Sequence, residues 1–194
     1  MDSENTHPRR RNIRLPYYDY SQPGTWFVTV VTHDRKKYFG QIVDGEMVLN
    51  EVGIVVKSVF EEIPKHFPNV ALSEFVIMPN HLHAIISITG EAKQTNNAVS
   101  QQEPRCPKVA ATHASPLRKK PDGPIPGSLG AIIGSFKSAA TKRVHQLIDQ
   151  EGTVLWQLNY YEHIIRAEKD YQAIYDYILA NPMNWQKDAE NIDG

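Results

Sequence analysis

The most informative segment of the chain is Val76-Ile77-Met78-Pro79-Asn80-His81-Leu82-His83-Ala84-Ile85-Ile86-Ser87-Ile88. Two apolar runs flank a Pro-Asn turn, a pattern that predicts two tightly joined strands. Side chains alternate between the two faces of a strand, so His81 and His83 share one face. The opposite face is apolar and carries Leu82, Ala84, Ile86 and Ile88. The sequence therefore predicts two neighbouring imidazoles on a sheet whose other face packs into a core.

Two imidazoles spaced in this way can bind one metal ion, because neutral imidazole is the commonest metal-ligand side chain in proteins. A bare His-x-His pattern is weak evidence, since two histidines can equally lie on a half-exposed strand without any ligand. The choice between these interpretations depends on other parts of the chain.

A second segment, residues 168–181, has the pattern of a helix that ends before Pro182. Its apolar positions recur at helical spacing and are Tyr171, Ile174, Tyr175, Ile178 and Leu179. Tyr177 lies off this stripe, and Asn181 lies one turn later on the same side. The Tyr177 phenol is therefore either exposed to solvent or directed at a functional site.

Several separated motifs, taken in order, resemble one known group of proteins. They are Pro79-Asn80-His81-Leu82-His83, Trp156-Gln157, Tyr161-Glu162-His163-Ile164-Ile165-Arg166, Asp176-Tyr177-Ile178 and Asn181-Pro182. This set resembles the transposase-like tyrosine proteins related to the REP-associated tyrosine transposases, which are HUH single-strand DNA nucleases with one catalytic tyrosine. The resemblance extends from about Trp26 to Trp185.

The resemblance implies an enzyme, a DNA nickase and transposase, in which Tyr177 attacks single-stranded DNA. The products would be a 5′-phosphotyrosine intermediate and a free 3′-hydroxyl that can later rejoin strands. It also implies that His81 and His83 bind Mg²⁺ or Mn²⁺, with the amide oxygen of Asn181 as third ligand. A phenol has an ordinary pKa of about 10, so an ion that polarises the scissile phosphate would assist its attack. Single-stranded or hairpin DNA is the implied partner.

Two other functions remain open at the level of the sequence. One is a hairpin-DNA-binding protein that keeps the fold but does not cut. The other is a metal-dependent phosphoesterase that acts on small substrates through His81 and His83. Only the nuclease predicts a covalent protein–DNA adduct.

The order of predicted elements is strand, helix, strand, strand, helix, strand and a further helix, which is a ferredoxin-like α+β arrangement. We expect these elements at residues 26–32, 50–63, 70–78, 81–89, 128–150, 154–157 and 168–181. A short strand is also expected at Val48-Leu49, before a helix capped by Asn50. Two helices should cover the apolar face of an antiparallel sheet, while the histidines and the final helix share the other face.

The chain of 194 residues is long enough for one domain, which we expect at residues 25–187. Residues 1–24 are predicted to be a basic, flexible N-terminal segment, and residues 188–194 an acidic tail. A long insertion at 90–127 should be flexible and dispensable for cleavage, because its polar composition cannot form a core. Six of the 13 prolines lie in it: Pro104, Pro107, Pro116, Pro121, Pro124 and Pro126.

The formal net charge of −1 does not indicate a nucleic-acid-binding protein, so any DNA contacts should come from local clusters. Candidates in the N-terminal segment are Arg11 and Arg14. On the polar side of the second helix they are Lys137, Ser138, Thr141 and Lys142. For each group the alternative is an ordinary solvated surface. Tyr161 and His163 could contact DNA or support the site, with core packing as the alternative.

The chain has one cysteine, Cys106, and therefore no intramolecular disulfide. It shows neither a secretory signal nor an apolar run of the roughly 18 residues needed to cross a bilayer. We expect a cytoplasmic, nucleoid-associated protein that does not bind membranes. A homodimer is compatible with the sequence.

Overall fold

The computed structural model describes residues 23–90, 124–149 and 152–191. Arg11, Arg14 and nearly all of the basic segment 1–24 lie outside the described residues. The same holds for most of the insertion 90–127 and for the last three residues of the chain. None of the helices within the described ranges is both long and apolar enough to cross a membrane.

The elements follow the predicted order, with additions. They are β1 (Gly24–Val31), a 3₁₀ turn (His33–Arg35), β2 (Gly40–Val43), β3 (Glu46–Leu49), α1 (Glu51–Glu61), α2 (Ile63–His66), β4 (Val70–Ile77), β5 (His81–Ile88), α3 (Leu129–Ile148), β6 (Tyr161–Ile165), α4 (Glu168–Ala180) and a 3₁₀ turn (Trp185–Lys187).

The main sheet has the strand order β4-β5-β1-β6, and each neighbouring pair is antiparallel. With α1 and α3 between the strands, this is the ferredoxin-like α+β fold that the sequence predicts. β5 is a central strand because it pairs with β1 on one side and β4 on the other. Both histidines are therefore held in a strand that is fixed along both edges.

The core lies between one face of this sheet and the helices α1 and α3. Alternate β5 residues enter it, as predicted: Leu82, Ala84, Ile86 and Ile88. Asn50 and Ser128 begin the two helices as expected, because each side-chain oxygen accepts a hydrogen bond from the first turn. Such a cap is worth about 1 kcal/mol relative to alanine. The fourth helix, α4, lies on the opposite face with the histidines.

The predicted last strand at 154–157 is wrong. Trp156 forms only an isolated bridge with Thr32, and the strand that completes the sheet is β6. The Trp156 ring packs instead against Phe39 and Phe136 in the core. An apolar loop segment that packs at the end of a core has the same composition as a buried strand. The sequence pattern alone therefore does not distinguish such a loop from a strand.

The expected short strand at Val48-Leu49 is confirmed, whereas two smaller expectations need correction. The strand at Val48-Leu49 is half of a two-stranded hairpin formed by β2 and β3, of which β2 was not predicted. Leu147 is exposed, because the buried stripe of α3 continues from Ala140 to Val144 and ends there. Leu179 is exposed as well, since the packed side of α4 narrows to Ile178 at its C-terminal end.

Two helical glycines offer a matched test of the packing around α1. At Gly53, an added methyl group would collide with the backbone carbonyl of Phe39 and lie 2.9 Å from Leu49 Cδ2. At Gly134 in α3, the same group would meet nothing within 4 Å. The two positions therefore differ in available space while both are helical.

We expect Gly53→Ala to lower the free energy of unfolding by about 1–3 kcal/mol or more, because the backbone must move to make room. Gly134→Ala should raise it by about 0.5–1 kcal/mol, since alanine forms helix more readily than glycine. Urea denaturation measures both values. Equal effects at the two positions would contradict the close approach of α1 to the Phe39 backbone.

Candidate active site

The start of β5 brings His81 and His83 together on the face opposite the core, as the alternation predicts. Their Nε2 atoms are 3.0 Å apart, and both residues are buried. Bonds of about 2 Å to one ion place adjacent ligand atoms about 3 Å apart. The spacing of the two nitrogens matches that of two ligands of a single ion, and it also matches a hydrogen bond between the rings.

Asn80 fixes the tautomer of His81. Its amide nitrogen donates to the backbone carbonyls of Arg35 and Glu190, at 3.1 and 2.8 Å, so its oxygen is the atom that faces His81 Nδ1 at 2.8 Å. An amide oxygen only accepts, and Nδ1 must carry the proton. Burial, with a further contribution from His83, lowers the pKa of His81 to about 3. The ring is therefore neutral, and its Nε2 lone pair faces His83.

Thr29 orients the second imidazole. It lies opposite His83 in the pairing of β1 with β5, and its hydroxyl is 2.9 Å from His83 Nδ1. A threonine hydroxyl can donate or accept, so it supports either tautomer of this ring. When His83 donates from Nδ1 to Thr29, both Nε2 lone pairs are available to one cation. Hydrogen bonds of this kind to the remote ring nitrogen are typical of metal-binding histidines.

Tyr177 projects from α4 toward the same point. Its hydroxyl is 3.3 Å from His83 Nε2 and 3.4 Å from Asp188 Oδ2. The side chain is both directed at the histidines and 46% exposed. A group with this placement can contact the buried pair and a ligand that arrives from solvent.

Asn181 lies one turn beyond Tyr177 and is buried. Its Nδ2 donates to Asp188 Oδ2 at 3.1 Å, while its Oδ1 has no hydrogen-bond partner among the described residues. A buried amide oxygen without a partner is costly, and it is also the kind of atom that Mg²⁺ or Mn²⁺ binds. Asn181 as third ligand remains a prediction.

Asp188 is the site residue that the sequence did not reveal. It was expected in an acidic tail, yet its side chain is only 3% exposed and its Oδ2 is 3.9 Å from His83 Nε2. Ligand atoms of His81, His83 and Asp188 all lie within 4.8 Å of one another. A carboxylate beside two imidazoles offers a third ligand of a type that suits hard divalent ions.

The segment that carries Asp188 is held over the site by several contacts. Arg35 forms an ion pair with Glu190, with 2.7 Å between Nε and Oε2, and Glu190 N donates to Asp188 Oδ1. The Trp185 ring lies 6.0 Å from that of His81, centroid to centroid. The chain from Trp185 to Glu190 is therefore a packed part of the site.

The charges of the site act on one another. Burial first, and then the negative Asp188, raise the pKa of Tyr177 to about 12. Burial alone would favour the neutral form of Asp188, but His83, the backbone of Glu190, His81 and Asn181 hold its pKa well below the usual range. At neutral pH the site therefore contains a protonated phenol, a carboxylate and a neutral His81.

These groups fit a divalent cation. His81 Nε2 carries no proton, so the short approach of His83 Nε2 requires either a shared proton or a cation between the rings. The Asp188 carboxylate supplies negative charge, and the free Oδ1 of Asn181 supplies another oxygen. Two nitrogens with carboxylate and amide oxygens form a donor set that Mn²⁺ or Mg²⁺ can accept.

The predicted DNA contacts of α3 lie apart from this cluster. Lys137, Ser138, Thr141 and Lys142 line a groove of about 1090 Å³ between α3 and residues 152–158. The Lys137 ammonium donates to the backbone carbonyls of Gln157, Leu158 and Asn159, and burial lowers its pKa to about 8. The ammonium group therefore already binds the carbonyls of the loop before β6. A DNA-binding role for these four residues remains a prediction.

No protein-family model matches the sequence. An uncharacterized protein of Haemophilus influenzae is 39% identical over 184 residues, which is 95% of this chain and 94% of that protein. Among solved structures, a REP-associated tyrosine transposase bound to a REP hairpin matches with a TM-score of 0.50. The two are 19% identical, and the match covers 89% of this chain and 74% of the transposase.

The two comparisons establish different things. Identity of 39% over almost the full length of both chains shows common descent with the Haemophilus influenzae protein. The likeness to the transposase shows a shared fold, which agrees with the fold that the motifs imply. The chain therefore belongs to one family with the Haemophilus influenzae protein, and its fold is that of the REP-associated tyrosine transposases.

Proposed function

We propose that the protein is a metal-dependent single-strand DNA endonuclease and strand transferase that acts through Tyr177. The observation that carries the proposal is the approach of the Tyr177 hydroxyl to His83 Nε2, at 3.3 Å, beside the His81–His83 pair. The proposed nucleophile and two side chains of a type that binds metals therefore lie together. The shared fold with a transposase supports the same function.

The reaction requires one bond to form and one to break. The phenolic oxygen of Tyr177 would attack the scissile phosphorus, and the bond from phosphorus to the 3′-oxygen would break. The phenol loses its proton and the departing 3′-oxygen gains one, which leaves a 5′-phosphotyrosine and a free 3′-hydroxyl. In the reverse reaction a 3′-hydroxyl attacks the phosphotyrosine and joins two strands. A bound divalent ion would polarise the phosphate and offset the charge that develops there.

The electrostatics of the site support a role for a cation. With a pKa of about 12, Tyr177 is almost entirely protonated at neutral pH. Asp188 contributes to that value, and its own low pKa makes it a poor acceptor for the phenolic proton. His81 is neutral and contributes no positive charge. A bound divalent ion would supply the positive charge that a neutral His81 does not.

His81 and His83 are the proposed nitrogen ligands, and Asp188 and Asn181 are the proposed oxygen ligands. Asn80 and Thr29 position the two imidazoles through their Nδ1 atoms. All these residues and Tyr177 belong to one chain, so the proposal does not depend on a second copy. A nuclease of this kind would act in the cytoplasm, on DNA of the nucleoid.

Replacement of the proposed nucleophile is the direct test. The protein is incubated with single-stranded hairpin oligonucleotides and Mn²⁺, and adducts are resolved on a denaturing gel. Wild type should form a covalent adduct, and Tyr177→Phe should form none because the attacking oxygen is removed. Tyr175→Phe, on the same helix, is the matched control and should retain the adduct. Adduct formation by Tyr177→Phe would refute the assignment, and hairpin binding without any adduct would favour a non-catalytic binding protein.

Metal binding can be measured without DNA. Calorimetric titration with Mn²⁺ should show one site, which His83→Ala abolishes by removing a ligand. Asn80→Ala should weaken binding about 10- to 100-fold, because the His81 ring loses the partner that fixes its tautomer. His66→Ala, at an exposed position, is the control and should bind as wild type does.

The same titration separates the two oxygen ligands. Asp188→Asn should reduce Mn²⁺ affinity more than Asn181→Ala, since it removes a charge from the site. Absence of binding by wild type, or equal binding by His83→Ala, would contradict the metal site.

A further inference from the structure

We propose that a pocket beside Tyr177 binds one nucleobase of the DNA strand, with Asp170 accepting hydrogen bonds from the base. The inference rests on the proposed function and adds a determinant of sequence preference to it. The pocket has a volume of about 320 Å³ and is lined by Phe27, Tyr161, His163, Asp170, Ala173 and Ile174. Its residues come from β1, β6 and α4, on the face of the sheet that carries the histidines.

Phe27 joins this pocket to the candidate active site. Its ring stacks on His83 with 5.2 Å between centroids, and it meets Tyr177 edge-on at 6.1 Å. Phe27 also lies in edge-on contact with Tyr161 and pairs with His163 across β1 and β6. A base held in the pocket would therefore be separated from the reacting tyrosine by a single aromatic ring. A separation of one aromatic ring suits a base whose nucleotide lies close to the scissile phosphate.

The walls of the pocket suit a flat aromatic ligand. Tyr161 and Phe27 present rings, His163 presents an imidazole, and Ala173 and Ile174 supply apolar surface from α4. Aromatic side chains bind unpaired bases by stacking, and every base has a face that can stack. Tyr161 is 42% exposed, so a base can reach it without displacing a core residue.

Asp170 determines which part of a nucleotide can enter. Its carboxylate makes no hydrogen bond or ion pair with any described residue, and it lies exposed in the first turn of α4. A carboxylate repels a phosphate, so a base edge is favoured over the sugar–phosphate backbone at this position. The ionised group accepts hydrogen bonds only, and therefore it favours a base edge that carries amino or imino hydrogens.

This chemistry predicts a ranking of bases. Guanine, cytosine and adenine carry an exocyclic amino group that can donate to Asp170, as cytosine does in known acidic contacts. Thymine presents two carbonyl oxygens and one ring N–H, and its oxygens would face a negative charge. We therefore expect a base with an amino group at one position of the single-stranded DNA, and discrimination against thymine there.

The test selects bound DNA without requiring cleavage. Hairpin oligonucleotides with randomised single-stranded flanks are incubated with the full-length protein in EDTA, and the bound fraction is sequenced. Wild type should deplete thymine at one flank position by about five-fold or more, the effect of one specific contact to a base. Asp170→Asn should abolish that depletion, because the amide can also donate to a thymine carbonyl. Tyr161→Ala should weaken flank binding without changing the preferred base.

Glu168→Gln is the matched control, because Glu168 lies in the same first turn of α4 and does not line the pocket. It should show the wild-type preference. No positional preference in wild type, or the same preference in Asp170→Asn, would overturn the pocket even if the adduct with Tyr177 forms. A preference that depends on Asp170 without any adduct in Mn²⁺ would support the pocket and refute the nuclease.

Discussion

The hydrogen bonds of Asn80 are the constraint on which the site depends. This fully buried amide donates to the backbone carbonyls of Arg35 and Glu190 and accepts from His81 Nδ1. One side chain in the turn before β5 is thus hydrogen-bonded to both the loop after β1 and the C-terminal segment. The same side chain sets the tautomer of an imidazole whose Nε2 faces its neighbour. Loss of this amide would leave two partly buried carbonyls and a buried ring nitrogen without this partner, which is costly.

The fold explains how residues far apart in sequence reach one point. β5 is fixed by β1 and β4, so its alternation places both histidines on the outer face. α4 crosses that face and directs Tyr177 at His83, while Trp185 to Glu190 return over the site and bring Asp188 in. The sheet therefore supplies the rigid part of the site, and the C-terminal residues complete it. This division agrees with the principle that functional groups are best positioned by regular elements.

Local periodicity was enough to predict much of this arrangement. The two-residue spacing of the histidines predicted their common face, and the helical stripe around Tyr177 predicted a phenol that does not belong to the core. Asp188 could not be predicted in the same way, because the histidines that it approaches lie more than a hundred positions earlier and its own segment shows no periodic pattern. Lys137 is a similar case. The sequence predicted its position on the polar side of α3. The helix sequence does not indicate that the loop before β6 approaches this side chain and accepts hydrogen bonds from it.

We propose that His81, His83 and Asp188 surround one cation position next to Tyr177. Anomalous diffraction at the manganese edge, from crystals grown with Mn²⁺, tests it most directly. We expect a single strong peak within bonding distance of His81 Nε2 and His83 Nε2, with an oxygen of Asp188 or Asn181 as a further ligand. A well-ordered site without a peak between the two imidazoles, or a peak bound only by other residues, would contradict the account.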